Sequence, residues 1–262
     1  TCRVVSSSIR ALSMRSSMAD TPNFRFYRNP RFSVNHLTSY LSTVNALQRD
    51  RIIQQAKFQK KIPVAAYSQA RATIQKFWGG DSTPRKHFEL PLSKLRRVAE
   101  NDADRRDEAL RCIAAIEAFK ASYASKRWKG LAVQPGPVDL SLSREGVAIN
   151  ARLDCQLFRE VDGETVTGGV VLFYANTPDS RKNIEVRRRQ VASMIRWALE
   201  ENGQMEPRPS LCLSFDIFGN EIVRSPDAKD QFRDAVDRSC REVALKWRTI
   251  EPPAGYDGPD WE

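Results

Sequence analysis

Asn150-Ala-Arg-Leu-Asp154 lies in a run, Val147 to Phe158, in which apolar and polar residues alternate as in a half-buried strand. Asp162-Gly163 is a turn, and Gly169-Val-Val-Leu-Phe-Tyr-Ala-Asn176 follows, apolar on both faces from Val170 to Ala175. Such a run suits a central strand covered on both sides. A basic helical stretch comes next and contains Gln190-Val-Ala-Ser-Met194. Residues 147 to 175 are therefore expected to form adjacent antiparallel strands. Ser210 to Phe218 reads as a further strand of the same sheet, beside a central strand, and Gly219-Asn220 turns it into Glu221 to Arg224.

Working outward, Leu131–Val133 and Val138–Leu142 alternate as strands, and Ser143-Arg-Glu-Gly146 is a turn. Before them the period is helical. Ser33 is an N-cap for a helix that carries Leu37, Tyr40, Leu41, Val44 and Leu47 and is expected to reach about Phe58. A second helix is expected from about Ala65 to Phe77, a loop over Gly79-Gly80-Asp81 and Pro84, and one or two polar helices over 91–126. After the central strand a helix is expected from Thr177-Pro178-Asp179 to about Glu201, and a last one from about Pro226 to Thr249. The pattern predicts an α/β (α+β) fold: a central mixed sheet of about four to six strands flanked by helices, with a helical N-terminal half. We divide the chain into a leader and extended segment (1–32), one domain (33–250, helical over 33–126 and sheet-bearing over 131–249) and an extended acidic tail (251–262).

The order of these segments resembles the core of the PD-(D/E)XK nucleases, in particular the RecB-like branch. In that family the first strand carries a metal-binding Asp, the next strand an acid-x-Lys triplet, and the following helix Gln-x-x-x-Tyr. The resemblance implies that Asp154 stands at the metal position, Phe173-Tyr174-Ala175 at the triplet, Gln190 at the helix Gln and Met194 where Tyr would be. The acid and the lysine are both missing. A divalent cation needs more than one protein oxygen to be held usefully, so Asp154 and Gln190 are relics, and no metal or cofactor is expected. Asp154 is then a strand carboxylate awaiting an Arg, and Arg187 is the expected partner. Glu117 or Glu185 would be the migrated acid if the chain were an active nuclease. His36 and His87 have no Ser or Cys nucleophile at a triad spacing.

Lys and Arg number 42 against 32 Asp and Glu, a net charge of +10. Excess positive charge favours polyanions. Five bases and one acid fall in residues 181–189. Wound at about 100° per residue, the helix puts Ile184, Val191, Ile195 and Ala198 on one stripe. Arg181, Lys182, Arg189 and Arg196 then lie opposite. These four and Arg188 are the candidate nucleic-acid contacts, as phosphate-neutralising cations, or else a solvated face. Asn23-Phe-Arg-Phe-Tyr-Arg28 interleaves aromatics with Arg as single-strand binders do, or forms an edge strand.

Cys2, Cys112, Cys155, Cys212 and Cys240 show no metal-ligand spacing and read as reduced core thiols. Residues 1–17, rich in Arg and Ser without an acid, read as an upstream leader before Met18 or as a mitochondrial presequence; cytoplasm is the expected compartment. No apolar run is long enough to span a bilayer. The expected function is that of a catalytically inactive PD-(D/E)XK-like protein binding nucleic acid or serving as a subunit of a nucleic-acid-processing, defence or toxin–antitoxin system. The alternatives are a protein-interaction scaffold and an active nuclease with migrated acids.

Overall fold

Strand β5, Val147–Val161, organises the sheet. The computed structural model describes residues 23–61, 66–78, 84–124, 131–175, 183–203 and 205–260. β5 is joined to β4 (Ala132–Arg144) through Glu145-Gly146 and to β6 (Glu164–Phe173) through Asp162-Gly163. In both turns the two central residues have positive φ, 49° and 78° in the first and 55° and 84° in the second. That backbone matches the right-handed twist of the flanking strands, and Gly accommodates it without strain. β7 (Pro207–Asp216) lies parallel to β6, and β8 (Glu221–Arg224) antiparallel to β7. β2 (Arg31–Ser33) adds to β5 in parallel, with Arg31 beside Ala148, giving six strands in the order β2-β5-β6-β7-β8 with β4 on β5.

The expected antiparallel pairing over 147–175 is present, with Cys155 opposite Val170, and the strand over 210–217 lies beside the central β6, with Val170 beside Leu213. β4 occupies one edge of β5 from Val147 to Phe158. β2 and β6 must therefore share the other edge in succession, β2 at residues 148–150 and β6 at 155–161. Asp154 sits in the gap between them.

Two helical layers cover the sheet. On one face lie α1 (Val34–Leu41), α2 (Ala46–Lys57), α6 (Ile184–Glu201) and α7 (Asp230–Trp247), packed on Ile149, Leu153, Val171 and Cys212. On the other lie α3 (Ser68–Trp78), α4 (Pro84–Asn101) and α5 (Arg106–Ala124), packed on Leu157, Val170, Leu172, Leu213 and Phe215. Val170, Val171 and Leu172 thus point alternately into two cores, the physical reason for an apolar run with no polar face.

Some boundaries differ from expectation. The first helix is two helices. Ser33 caps α1 by accepting from the His36 N–H at 3.2 Å, but Asn45 caps a new helix by accepting from Gln48 N–H at 3.0 Å. Between them the Ser42 and Thr43 hydroxyls donate to the carbonyls of Thr38 and Ser39, both at 2.7 Å, closing off the end of α1. Pro84 opens α4, a position where its missing N–H costs nothing. The two expected strands over 131–142 are one strand with a register shift between Pro135 and Val138. β2 stands where the pattern shows only a lead-in to the first helix. Phe24–Phe26 is β1, paired with β3 (Phe58–Lys60) in a separate two-stranded sheet, so the edge-strand reading of 23–28 describes its backbone. The expected starts at Ala65 and Thr177-Pro178-Asp179, and the loop at 79–81, lie outside the described residues. Cys112, Cys155, Cys212 and Cys240 are buried free thiols. Among the described residues no helix is long and apolar enough to cross a membrane.

Candidate functional site

At Asp154 the inward and outward alternation of β5 is interrupted. Leu153 joins the core under α1, whereas both Asp154 and Cys155 turn toward the α3 layer. The Asp154 side chain is 3% exposed, and three donors meet it: Arg71 Nε on Oδ1 at 3.1 Å, Gln75 Nε2 on Oδ1 at 3.0 Å, and the Leu172 N–H on Oδ2 at 2.8 Å. The last bond continues the β5–β6 contact beyond Cys155–Val170, where the carboxylate takes the place of a backbone carbonyl. Burial pushes the Asp154 carboxyl above its ordinary value, opposed by the Arg71 charge and the Leu172 and Gln75 hydrogen bonds.

Arg71 does more than neutralise. Its Nη2 donates to the Leu172 carbonyl at 3.3 Å, and its guanidinium lies 5.3 Å from the Tyr174 ring centroid. Tyr67 stacks on Tyr174 at 4.8 Å. The expected Arg partner of Asp154 is therefore real in kind but different in identity. Arg187 cannot serve, because α6 covers the opposite face of the sheet. Sequence reasoning misses Arg71 and Gln75; their spacing on α3, one helical turn apart, is the available signal.

On the Asp154 face lie Leu172 of β6 and Tyr174 just past its end, both packed in the α3–α5 core, whereas Phe173 packs in the other. The positions facing Asp154 are thus shifted by one from Phe173 and Ala175. The shift supplies no carboxylate and no lysine. Among the described residues no group of three His, Cys, Asp or Glu could hold a metal ion. The described residues around Asp154 do not fit a catalytic divalent cation: its carboxylate already accepts three hydrogen bonds, and no second acidic ligand stands beside it among them.

Gln190 is not brought to Asp154. Its Oε1 lies 3.0 Å from the Ser42 hydroxyl oxygen, beside the end of α1 on the other face. Glu117 and Glu185, the candidate migrated acids, lie in ion pairs with Lys120 (2.9 Å) and Arg189 (3.0 Å) within their own helices.

The basic helix differs from a uniform cationic face. Arg181 and Lys182 lie outside the described residues. Arg189 is exposed and paired with Glu185. Arg196 is a correction to the expected exposed cation: Nε donates to Glu200 at 3.2 Å, and Nη1 to the carbonyls of Pro226 and Asp227 at 3.1 and 3.0 Å, so it fastens the approach to α7. Arg188 is a second correction. It is fully buried, 3.6 Å from Asp216 Oδ2 and 2.8 Å from Glu221 Oε2 through Nη1. Its Nε and Nη2 have no hydrogen-bond partner among the described residues. Position 188 falls four after Ile184 and three before Val191, on the apolar stripe itself, so the winding of the helix points its side chain inward. Comparison with known protein families and with curated proteins finds no match to this chain.

Proposed function

We propose that the protein is a PD-(D/E)XK-like domain without nuclease chemistry that binds nucleic acid. The observation that carries this reading is the state of Asp154: buried, three times hydrogen-bonded and salt-bridged to Arg71. A carboxylate so engaged is a structural link between α3 and the β5–β6 gap. The net charge of +10 supports a polyanion as ligand. The ion pairs that engage Arg189 and Arg196 support the runner-up, a protein-interaction scaffold, because they occupy two of the cations expected to meet phosphates.

The test has two arms. Purified protein with Mg²⁺ or Mn²⁺ is expected to leave DNA and RNA intact; metal-dependent cleavage that disappears in Asp154→Ala overturns the non-catalytic reading. Retention of oligonucleotides is expected at low salt and to fall steeply as salt rises. No retention at low salt overturns the nucleic-acid reading and leaves the scaffold.

A further inference from the structure

A groove runs the length of α2, on the face of the sheet opposite Asp154. Near the α2 N-terminus, a cleft of about 500 Å³ lies between α1, α2 and the start of α6. A neighbouring cleft of about 590 Å³ shares Gln48, Ile52 and Gln55 with it. A third, of about 440 Å³, shares His36 and Gln55 and continues to β1 and β3. Shared walls make the three one track.

Its chemistry is distinctive. No described residue lining the track is an Asp or Glu, in a chain that has 32 of them. The only acid of α2, Asp50, turns the other way and accepts from Lys246 of α7 at 2.8 Å. The cations of the track are Arg51, Lys60 and Arg187, and none has a carboxylate partner among the described residues. Arg49, Arg144, Arg189, Arg196 and Arg233 elsewhere are all ion-paired. The Arg187 Nε is buried and without a hydrogen-bond partner among the described residues. Six carboxamides line the walls: Asn45, Gln48, Gln54, Gln55, Gln59 and Asn183. Phe24, half-buried, forms part of the far end.

We propose that this groove holds a single-stranded nucleic acid, an assignment that rests on the nucleic-acid reading above and gives it a place. Unpaired cations neutralise phosphates, and carboxamides carry both a donor and an acceptor that match base edges. An aromatic at the end of the track offers a stacking platform. A concave groove favours one strand over two, because splayed bases can turn inward, whereas those of a duplex stay stacked in its interior.

The experiment is fluorescence anisotropy with a labelled oligothymidylate of about twelve nucleotides, within the span such grooves cover, against a duplex of equal length and a polyglutamate peptide. The full chain is compared with Arg51→Glu/Lys60→Glu and with a control of equal charge change on exposed residues of α7 and its C-terminal cap, Arg238→Glu/Arg248→Glu. Both pairs are solvent-exposed, and an unchanged Tm confirms the fold. The groove pair is expected to weaken single-strand binding roughly ten-fold or more and to lower the log–log salt slope by about one for each phosphate no longer neutralised, with the control near the parent. Gln48→Ala/Gln55→Ala is expected to weaken binding while leaving the salt slope unchanged. Equal effects in groove and control variants overturn the groove but leave nucleic-acid binding standing. Tighter binding of the duplex, or of polyglutamate, overturns the single-strand assignment. A parent that binds none of the probes overturns both readings.

Discussion

Arg188 of α6 and Asp216 of β7 meet inside the protein, Nη1 to Oδ2 at 3.6 Å, with no exposed surface on either side chain. Their position explains why a parallel β6–α6–β7 unit carries charge at its centre. Asp216 also accepts from the Gly219 N–H at 3.0 Å, so the same carboxylate shapes the turn into β8. Glu221, opposite Asp216 in the β7–β8 ladder, completes the neutralisation from the solvent side, with its side chain 64% exposed.

Removing Asp216 leaves the buried guanidinium with the solvent-side Glu221 as its one carboxylate partner among the described residues. Asp216→Ala is expected to cost roughly 3–5 kcal/mol, the range for breaking a buried pair. Glu221→Gln, at an exposed site screened by water, is expected to cost under about 1 kcal/mol. The pair Arg188→Met/Asp216→Leu should recover most of the loss. Urea denaturation of the three variants decides it; equal costs for Asp216→Ala and Glu221→Gln would show that the interior pair contributes nothing special.

Two carboxylates should respond to pH in opposite directions. Burial alone would raise Glu200, but the Arg233 hydrogen bond and the charges of Arg233, Lys229 and Arg196 hold it below its usual value. Its stabilisation is present above the unfolded pKa and is lost as pH falls through the lower folded value. The cost of Glu200→Gln, roughly 2 kcal/mol at neutral pH, should therefore shrink below about pH 4. Asp154 is raised, so the folded state binds its proton more tightly than the unfolded one. The stability of the parent relative to Asp154→Asn should then fall as pH rises from the ordinary carboxylate range through the folded value. Unfolding free energies at several pH values, with parallel rather than opposed trends for the two variants, would refute this.

Gly168 marks a close approach of β6 to β7. A Cβ built there would lie 2.3 Å from the Leu211 Cβ and 2.3 Å from the Leu211 carbonyl oxygen, beside the register shift between Thr167 and Gly169. Backbone cannot move aside, so Gly168→Ala should cost at least about 2 kcal/mol. At Gly169 the nearest atom is the Leu153 Cδ1 at 2.7 Å, a side-chain end that can rotate. Gly169→Ala should be the milder change. Thermal melts of both proteins are the check, and a reversed order would show that the strands adjust.

The strands are readable because their two-sided burial leaves a mark in single residues: Val170 to Leu172 cannot be mistaken for a surface strand once both cores are known. Turn residues such as Asp162-Gly163 set their own geometry. The site is less legible. Asp154 stands out, but Arg71 and Gln75 lie on a helix whose pattern says only which side is apolar. Which helix layer a strand carboxylate turns to depends on the break in alternation at Asp154–Cys155, opposite the β4 register shift between Pro135 and Val138. Arg188 passes for a surface cation because its neighbours are basic, although its place on the helix is inward. β2 is invisible to pattern because three residues carry too little periodicity to read.

Strand β5 has one partner from Val147 to Phe158 on one side and two in relay on the other, and this predicts an order of assembly. The β4–β5–β6 meander closes through two-residue turns and needs no other part of the chain. β2 can find Ala148 only after α1 to α5 and all of β4 have been looped out, a closure that costs far more entropy. The short parallel strand is thus expected to be the last stitch of the sheet, bringing α1 and the head of the α2 groove with it.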